Sequence, residues 1–349
     1  MRKKLDVIDV NEKKSVQREA LILEERRRRQ RQRARQLAIK RRRQRFIKRL
    51  GMVAILIGTL IFAVKIILPQ IINEENQNVW NGIDAISGNE TASKQKLLYE
   101  VKFEEFFREN KPKKFSDEQV YSRLKVLANE YSELEVIYEN CEEYPVKLLA
   151  SLCNNPELHE FVKGYLAYQE GELTVAGVPE LTKAEKGQQY PLFLQWDKRW
   201  GYEAYGDFNI ALSGCGPTTL AMAVTALTDD DTVTPDRVAK YSMTNGYYVE
   251  GTGTAWTLMT EGCKDFGIKS EEIALDEYVM KNQLDKGKVI ICSMRQGDFT
   301  SVGHFIMIYG YDKNGFFVND ANCIYRSSKI WSYEELSGQI RILWAFEEK

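Results

Sequence analysis

The sequence predicts an α+β protein in which a transmembrane helix and a small helical module precede a mixed domain of about 160 residues. Three observations predict this class. An apolar run of 23 residues lies near the N-terminus, helical periodicity begins after residue 115, and runs rich in β-branched and aromatic residues dominate after residue 287. With 349 residues and 44% hydrophobic content, the chain is long enough for more than one domain.

Residues 1–49 form a strongly basic segment that we expect to be cytoplasmic. It contains 20 Lys or Arg and 6 Asp or Glu, a local charge of +14, whereas the other 300 residues carry −15. Clustered cations can indicate nucleic-acid binding. Phe46 is the only aromatic residue here, so side chains for stacking bases are lacking. Anionic lipid headgroups, which attract basic residues by about 1 kcal/mol each, are therefore the expected partner rather than nucleic acid.

Residues 50–72 read LGMVAILIGTLIFAVKIILPQII and contain one charged residue, Lys65. As a helix this run is about 35 Å long, enough to cross a hydrocarbon core of about 30 Å. Basic residues beside a span stay cytoplasmic, so the N-terminus is expected inside and the rest of the chain outside the cell membrane. The long segment before the span predicts an uncleaved, single-pass signal anchor rather than a cleaved signal peptide.

Residues 73–115 are polar and mixed in charge, which predicts an extracytoplasmic stalk. Residues 116–187 are expected to form a helical lead-in module. Its first helix begins at the capping box Ser116-Asp-Glu-Gln119, and Pro145 and Pro156 each suit the first turn of a shorter helix. The module could dock on the following domain or bind a partner, and docking is the favoured interpretation.

Residues 188–349 have the pattern of a mixed domain. A helix and short mixed elements are followed by four predicted strands, KVIICSM, HFIMIYGY, GFFVND and IRILWAF. The turn sequence Asp312-Lys-Asn-Gly315 lies between the second and third strands and predicts a hairpin.

The stretch LSGCGPTTLAMAV, residues 212–224, places Cys215 between two glycines at the start of a predicted helix. Pro217 suits the first turn because its missing N–H would be unpaired there. The unpaired N–H groups and the dipole of a helix start favour a negative charge, so they favour the nucleophilic thiolate form of cysteine. Cys215 is the candidate nucleophile, although such a residue is commonly only a small buried side chain in a tight turn.

The base that Cys215 would need is provided most simply by His304, the one histidine of this domain. It opens a predicted strand, and the hairpin returns the end of its partner strand, Asn319 and Asp320, to the same place. A carboxylate there would orient the imidazole ring. An amide can serve too, and alternation along the strand leaves open which of the two faces the ring.

Acyl transfer also requires hydrogen-bond donors for a developing oxyanion. The side-chain amide of Gln195 and the backbone N–H of Cys215 are the candidates. Trp196 and Trp256 could line a substrate cleft, although packing is the commoner role for such rings. The other five cysteines form neither a CxxC pair nor a zinc spacing, so no metal or cofactor is expected.

Four motifs in order, LQWDKRWGY, SGCGPTTLAM, GHFIMIYGYD and VND, together resemble the papain-like cysteine peptidases of the bacteriocin-leader-processing, C39-like group. The resemblance covers residues 191–346. It implies a papain-like fold, with the cysteine helix packed on an antiparallel sheet. It also implies Cys215 as nucleophile, His304 as base, Asp320 as orienter and Gln195 as oxyanion donor. The helical lead-in resembles that of some membrane-anchored bacterial members.

The sequence thus predicts a membrane-anchored extracytoplasmic cysteine peptidase that acts on a peptide or protein substrate through a thioester. Two alternative functions are compatible with the same sequence. A cell-wall amidase or an acyltransferase could use the same Cys-His chemistry, and an anchored binding or scaffold protein could carry an inactive site.

Overall fold

The computed structural model describes residues 94–173 and 178–349. These residues belong to the second of two units into which the chain divides, Asn89–Lys349. The predicted basic segment, the predicted membrane span and the start of the predicted stalk lie outside the described residues. Within the described part of the chain, no helix is long and apolar enough to cross a membrane.

A helical module occupies the first part of this unit. Its longest helix is capped as predicted: the Gln119 N–H donates to the Ser116 hydroxyl and the Gln119 side chain accepts from the Ser116 N–H. Pro145 and Pro156 precede or open helical turns, again as predicted. The α-helices are α1 Glu104–Glu109, α2 Asp117–Glu130, α3 Glu135–Glu139, α4 Val146–Asn154, α5 His159–Gln169 and α6 Lys183–Lys186, with 3-10 turns at Ser132–Leu134, Cys141–Glu143 and Pro156–Leu158.

Residues 94–115 differ from the expected polar stalk, because they pack against the rest of the unit. Phe106 is buried in the core of the helical module. Phe107 stacks on Tyr325 of the mixed domain with ring centroids 5.2 Å apart, and the Tyr99 hydroxyl donates to the Leu192 carbonyl. The segment is polar on average, but Phe106 is buried and its other aromatic side chains are partly buried. Average composition conceals such anchors.

The mixed domain follows, and its four longest predicted strands are present, but short helices also lie between the later strands, which the sequence pattern did not predict. Its α-helices are α7 Ile210–Ser213, α8 Cys215–Thr228, α9 Pro235–Thr244, α10 Thr257–Thr260, α11 Glu277–Asp285, α12 Ile324–Ser328 and α13 Tyr333–Ser337, with a 3-10 turn at Gly262–Phe266. Its strands are β1 Ala204–Tyr205, β2 Phe208–Asn209, β3 Tyr248–Val249, β4 Gly253–Thr254, β5 Ile268–Glu272, β6 Val289–Met294, β7 His304–Asp312, β8 Gly315–Asp320, β9 Ile330–Trp331 and β10 Ile340–Glu348.

Six of these strands form an antiparallel sheet in the order β5-β10-β6-β7-β8-β9. Strands β6 and β7 are buried along nearly their whole length because the sheet is covered on both faces. Helix α8 packs on one face in a core with Met307 and Phe317, and α11 lies over the other face with Ile306 and Val318.

The hairpin between β7 and β8 closes at the predicted turn. The Asp312 carboxylate accepts the backbone N–H of Asn314 at 2.7 Å and that of Gly315 at 3.2 Å. Gly315 has a φ of 141°, which is open to glycine and strained for other residues. This tight turn starts the pairing of the two strands, and a register shift between Ile308 and Gly310 moves the pairing by one residue before the far end of β8 reaches the start of β7.

Candidate functional site

Cys215 lies at the first residue of α8, directly after a break between α7 and α8 at Gly214. Packing explains both flanking glycines. A Cβ on Gly214 would lie 2.7 Å from the Ile210 carbonyl oxygen, and one on Gly216 would lie 2.6 Å from the Thr254 hydroxyl. The glycines therefore let the cysteine turn sit tightly between its own preceding helix and strand β4. The half-buried thiol is left at the helix start, as the sequence predicted.

Strand register brings Asp320, rather than Asn319, to the His304 ring. Asp320 pairs across the hairpin with Ile306, two residues from His304, so alternation puts Asp320 and His304 on the same face. His304 Nε2 lies 2.6 Å from Asp320 Oδ1. Asn319 points to the opposite face, where its amide donates to the Tyr190 and Pro191 carbonyls.

The Asp320 carboxylate is fully buried and has two further donors. The Asn322 backbone N–H donates to Oδ1 at 2.8 Å, and Arg326 Nε donates to Oδ2 at 2.5 Å. Sequence reasoning missed Arg326, which lies on α12 six residues after the aspartate. The available signal was a lone arginine within an otherwise uncharged segment, CIYRSS, because a buried cation requires a buried carboxylate.

The charges of this cluster reinforce one another. Burial lowers the pKa of His304, but the Asp320 charge and hydrogen bond raise it more strongly, with a smaller contribution from Cys215, to about 9. Burial raises the pKa of Asp320, but Arg326 and His304 lower it more strongly, to about 2. The geometry therefore favours an imidazolium ring held by a carboxylate, with the second ring nitrogen, Nδ1, left for Cys215.

Gln195 lies beside the helix start that carries Cys215. Its backbone N–H donates to the Ala321 carbonyl at 2.7 Å, next to Asp320, and its side-chain Nε2 donates to the Ala211 carbonyl at 2.6 Å, four residues before the cysteine. One amide proton remains for a second acceptor. The Gln195 Oε1 atom is buried without a hydrogen-bond partner among the described residues. The remaining amide proton is the feature that an oxyanion donor requires.

Cys215 and His304 lie at the centre of a cleft with two arms. The first, the basic arm, has a volume of about 440 Å³ and lies between the helical module and the mixed domain; Gln195 and Arg326 also line it. The second, the hairpin arm, has a volume of about 630 Å³ and is lined by the β3–β4 hairpin and Trp256. Residues flanking the histidine, Val302 and Gly303, border both arms.

The two candidate substrate-binding tryptophans differ in position. Trp256 is 41% exposed and lines the hairpin arm, with its ring edge against Trp344. Trp196 lines neither arm. Its indole N–H donates to the Asn322 carbonyl at 2.9 Å, and its ring packs between the cores of the helical module and the mixed domain. Trp196 is therefore a packing residue, since a large ring next to the module boundary is buried by docking.

The helical module contacts the site from behind through two residues that sequence reasoning also missed. The Asn155 amide donates to the Asn322 carbonyl at 2.5 Å. The Glu157 carboxylate accepts the backbone N–H groups of Ile324 and Tyr325 at 2.8 and 3.0 Å, at the start of α12. Docking, the favoured interpretation of the module, is what the structure shows. The module holds the helix that carries Arg326.

The mixed domain is similar to a family of known proteins. Residues 188–345 match the Peptidase_C39 like family. A search of curated proteins gives no match. Among solved structures, the peptidase domain of Streptococcus ComA, a bifunctional ABC transporter of a quorum-sensing pathway, is similar at 17% identity, covering 42% of this chain and 99% of that domain, with a TM-score of 0.32. The part of the chain that carries Cys215, His304 and Asp320 is therefore similar to the Peptidase_C39 like family.

Proposed function

We propose that this protein is a cysteine peptidase that hydrolyses peptide bonds by a Cys-His-Asp mechanism. The observation that carries the proposal is the 2.6 Å contact between His304 Nε2 and the buried Asp320, on a ring that also interacts with Cys215 at the centre of an open cleft. The family of the domain supports peptide bonds as the substrate.

In the proposed reaction, the Cys215 thiolate attacks the carbonyl carbon of the scissile peptide. Gln195 and the backbone N–H of Cys215 stabilise the resulting oxyanion. The C–N bond then breaks, and His304 Nδ1 gives its proton to the leaving amine, which leaves a thioester on the sulfur. His304 next takes a proton from water, the hydroxide attacks the thioester, and the acid product leaves as the thiolate is restored.

The location of this activity is also a proposal. Residues 50–72 would anchor the chain in the cell membrane, with residues 1–49 against anionic headgroups in the cytoplasm and the peptidase domain outside. The support is the sequence: one charge in 23 residues, preceded by a segment of charge +14. Protease accessibility of tags at the two termini in intact cells would test this arrangement.

The function is tested with a library of internally quenched peptides and the Cys215→Ala variant. We expect the wild-type protein to cleave members of the library and the variant to lose at least about a thousandfold of that rate while keeping its melting temperature. Peptidoglycan fragments are assayed in parallel. If the protein cleaves or modifies these fragments and no peptide of the library, its function is that of a cell-wall amidase or acyltransferase rather than a peptidase. If Cys215→Ala hydrolyses peptides at the wild-type rate, Cys215 is not the nucleophile.

A further inference from the structure

The two arms of the cleft differ in charge. Three lysines, Lys113, Lys114 and Lys147, line the basic arm together with Arg326, and its lining contains neither Asp nor Glu. The hairpin arm is lined by Lys147, which borders both arms, by Arg341 and by one carboxylate, Asp207. The surplus of positive charge is therefore larger in the basic arm, which has four cations and no carboxylate.

The surplus contrasts with the rest of the protein. Outside residues 1–49 the chain carries a charge of −15. An acidic ligand is therefore repelled by most of this part of the chain and attracted to the basic arm, where the concave surface concentrates the field of the lysines.

The lysines of the arm are also unpaired. Lys113, Lys114 and Lys147 form no ion pair among the described residues; Lys147 lies over the Phe208 ring at 3.0 Å from its centroid. Their neighbour Lys111, which does not line the arm, is neutralised by Asp298 at 2.8 Å. The positive charges facing the cleft are thus the ones left available to a ligand.

The backbone that presents two of these lysines is held in place. The Lys113 N–H donates to Asn154 Oδ1 at 2.8 Å, and Asn154 Nδ2 donates to the Lys113 carbonyl at 2.9 Å. The Lys111 ion pair ties the same segment to the loop before β7. A fixed segment loses less freedom when it binds a ligand than a free loop does.

Behind the lysines, Arg326 provides a buried positive charge that Asp320 shares with His304. Its Nη2 atom is buried without a hydrogen-bond partner among the described residues. This side of the cleft is therefore basic from its rim to its floor.

We propose that the basic arm binds an acidic segment of the peptide substrate, with Lys113, Lys114 and Lys147 contacting Asp or Glu side chains next to the scissile bond. The proposal names the substrate class of the proposed peptidase and rests on that function. A peptide is the favoured occupant rather than a lipid surface, because the lysines line a concave arm that ends at Cys215 and a bilayer is flat.

The test uses the full chain in a nonionic detergent and measures protection of Cys215 from iodoacetamide, followed by mass spectrometry of the Cys215 peptide. This readout is local to the cleft, so binding of acidic probes to residues 1–49 does not contribute, and it does not require turnover. The probes are short acetylated and amidated peptides of alternating Gly-Glu, Gly-Gln or Gly-Lys.

We expect the Gly-Glu peptide to protect Cys215 at a concentration about tenfold below that of the Gly-Gln peptide, with the difference fading at about 0.5 M salt. The Lys113→Gln/Lys114→Gln/Lys147→Gln variant should lose the difference. A matched variant that changes three exposed lysines outside the arm, Lys125→Gln/Lys183→Gln/Lys240→Gln, should keep it.

Equal protection by the Gly-Glu and Gly-Gln peptides would overturn the proposal, and so would an undiminished difference in the arm variant. Protection by phosphatidylglycerol vesicles, in place of the acidic peptide and lost in the arm variant, would assign the lysines to a membrane instead. A protein that shows the expected protection but cleaves no peptide would refute the peptidase function and leave the acidic-peptide site standing.

Discussion

At the scale of single residues, the site depends on how Asp320 is shared. One carboxylate, fully buried, accepts from both His304 and Arg326, so two cations stabilise one anion. Removing the carboxylate takes away the anion that two buried cations share, and breaking a buried ion pair is strongly destabilising. Asp320 therefore contributes to folding as well as to the orientation of the ring.

Asp320→Asn should destabilise the protein by about 3–5 kcal/mol near neutral pH, the typical cost of breaking a buried ion pair. The pKa of His304 is raised from 6.5 to about 9, so the stability that His304 contributes is complete below pH 6.5 and is lost as the pH rises through 9. The difference in unfolding free energy between the wild type and Asp320→Asn should therefore decrease as the pH rises from 6.5 to 9.

Denaturant unfolding at a series of pH values measures this deficit. His304→Gln is the matched control, because it removes the titrating ring and should lack the same pH-dependent loss. A deficit of constant size from pH 6 to 10 would show that the Asp320 charge does not hold the His304 proton.

Gln195→Ala should lower kcat by about 10²–10³-fold with little change in KM, because an oxyanion donor acts mainly in the transition state. Its side chain also donates to the Ala211 carbonyl, so a small loss of stability is expected as well. Steady-state kinetics on the best library peptide separate kcat from KM. An increase in KM alone would make Gln195 a substrate-binding residue rather than an oxyanion donor.

At the scale of elements, α12 connects the helical module to the site. It is only five residues long, and short helices are marginal without external support. Glu157 provides that support from the other module by accepting two backbone N–H groups at the start of α12. Burial raises the pKa of Glu157 to about 7, although these hydrogen bonds oppose the shift.

Glu157→Gln replaces one accepting oxygen by a donor that faces a backbone N–H, so one of the two hydrogen bonds is lost. Above pH 7, where Glu157 is ionised, we expect α12 to loosen, Arg326 to shift from Asp320, and kcat/KM to fall by about tenfold. A hydrogen bond to a charged group is worth about 1.5–3 kcal/mol. The control is Glu160→Gln, an exposed carboxylate of the same module. An unchanged kcat/KM in Glu157→Gln would show that the support of α12 by Glu157 does not affect catalysis.

At the scale of the whole described unit, the two modules share their cores. Tyr202 of the mixed domain stacks on Phe161 with centroids 4.3 Å apart, and its hydroxyl donates to the Phe161 carbonyl at 2.8 Å. Trp196 and Leu212 pack against the same core. The helical module is therefore part of one hydrophobic structure with the mixed domain.

Residues 188–349 expressed without the helical module should be poorly soluble and melt well below residues 94–349. Each large apolar side chain uncovered costs about 1.5–3 kcal/mol, and the exposed patch favours aggregation. Differential scanning fluorimetry of the two fragments measures their melting temperatures, and size-exclusion chromatography measures their aggregation. Equal melting temperatures would show that the domain is stable without the module.

The sequence was sufficient for features that depend on local pattern. The capping box at Ser116, the hairpin turn before Gly315 and the helix start at Cys215 follow from backbone preferences within a few residues, and the structure has all three. The motifs also predicted the family of the domain, which the family match over residues 188–345 confirms.

The family resemblance favoured Asp320 over Asn319, but strand alternation left the choice open. Only the tertiary structure gave the physical reason, because a register shift between Ile308 and Gly310 decides the pairing and one residue of slip reverses the faces. It also revealed Arg326 and Glu157, whose partners lie on other elements. Local periodicity carries no information about which distant charges share a buried site. That pairing is settled when the modules pack and every buried charge must find a partner.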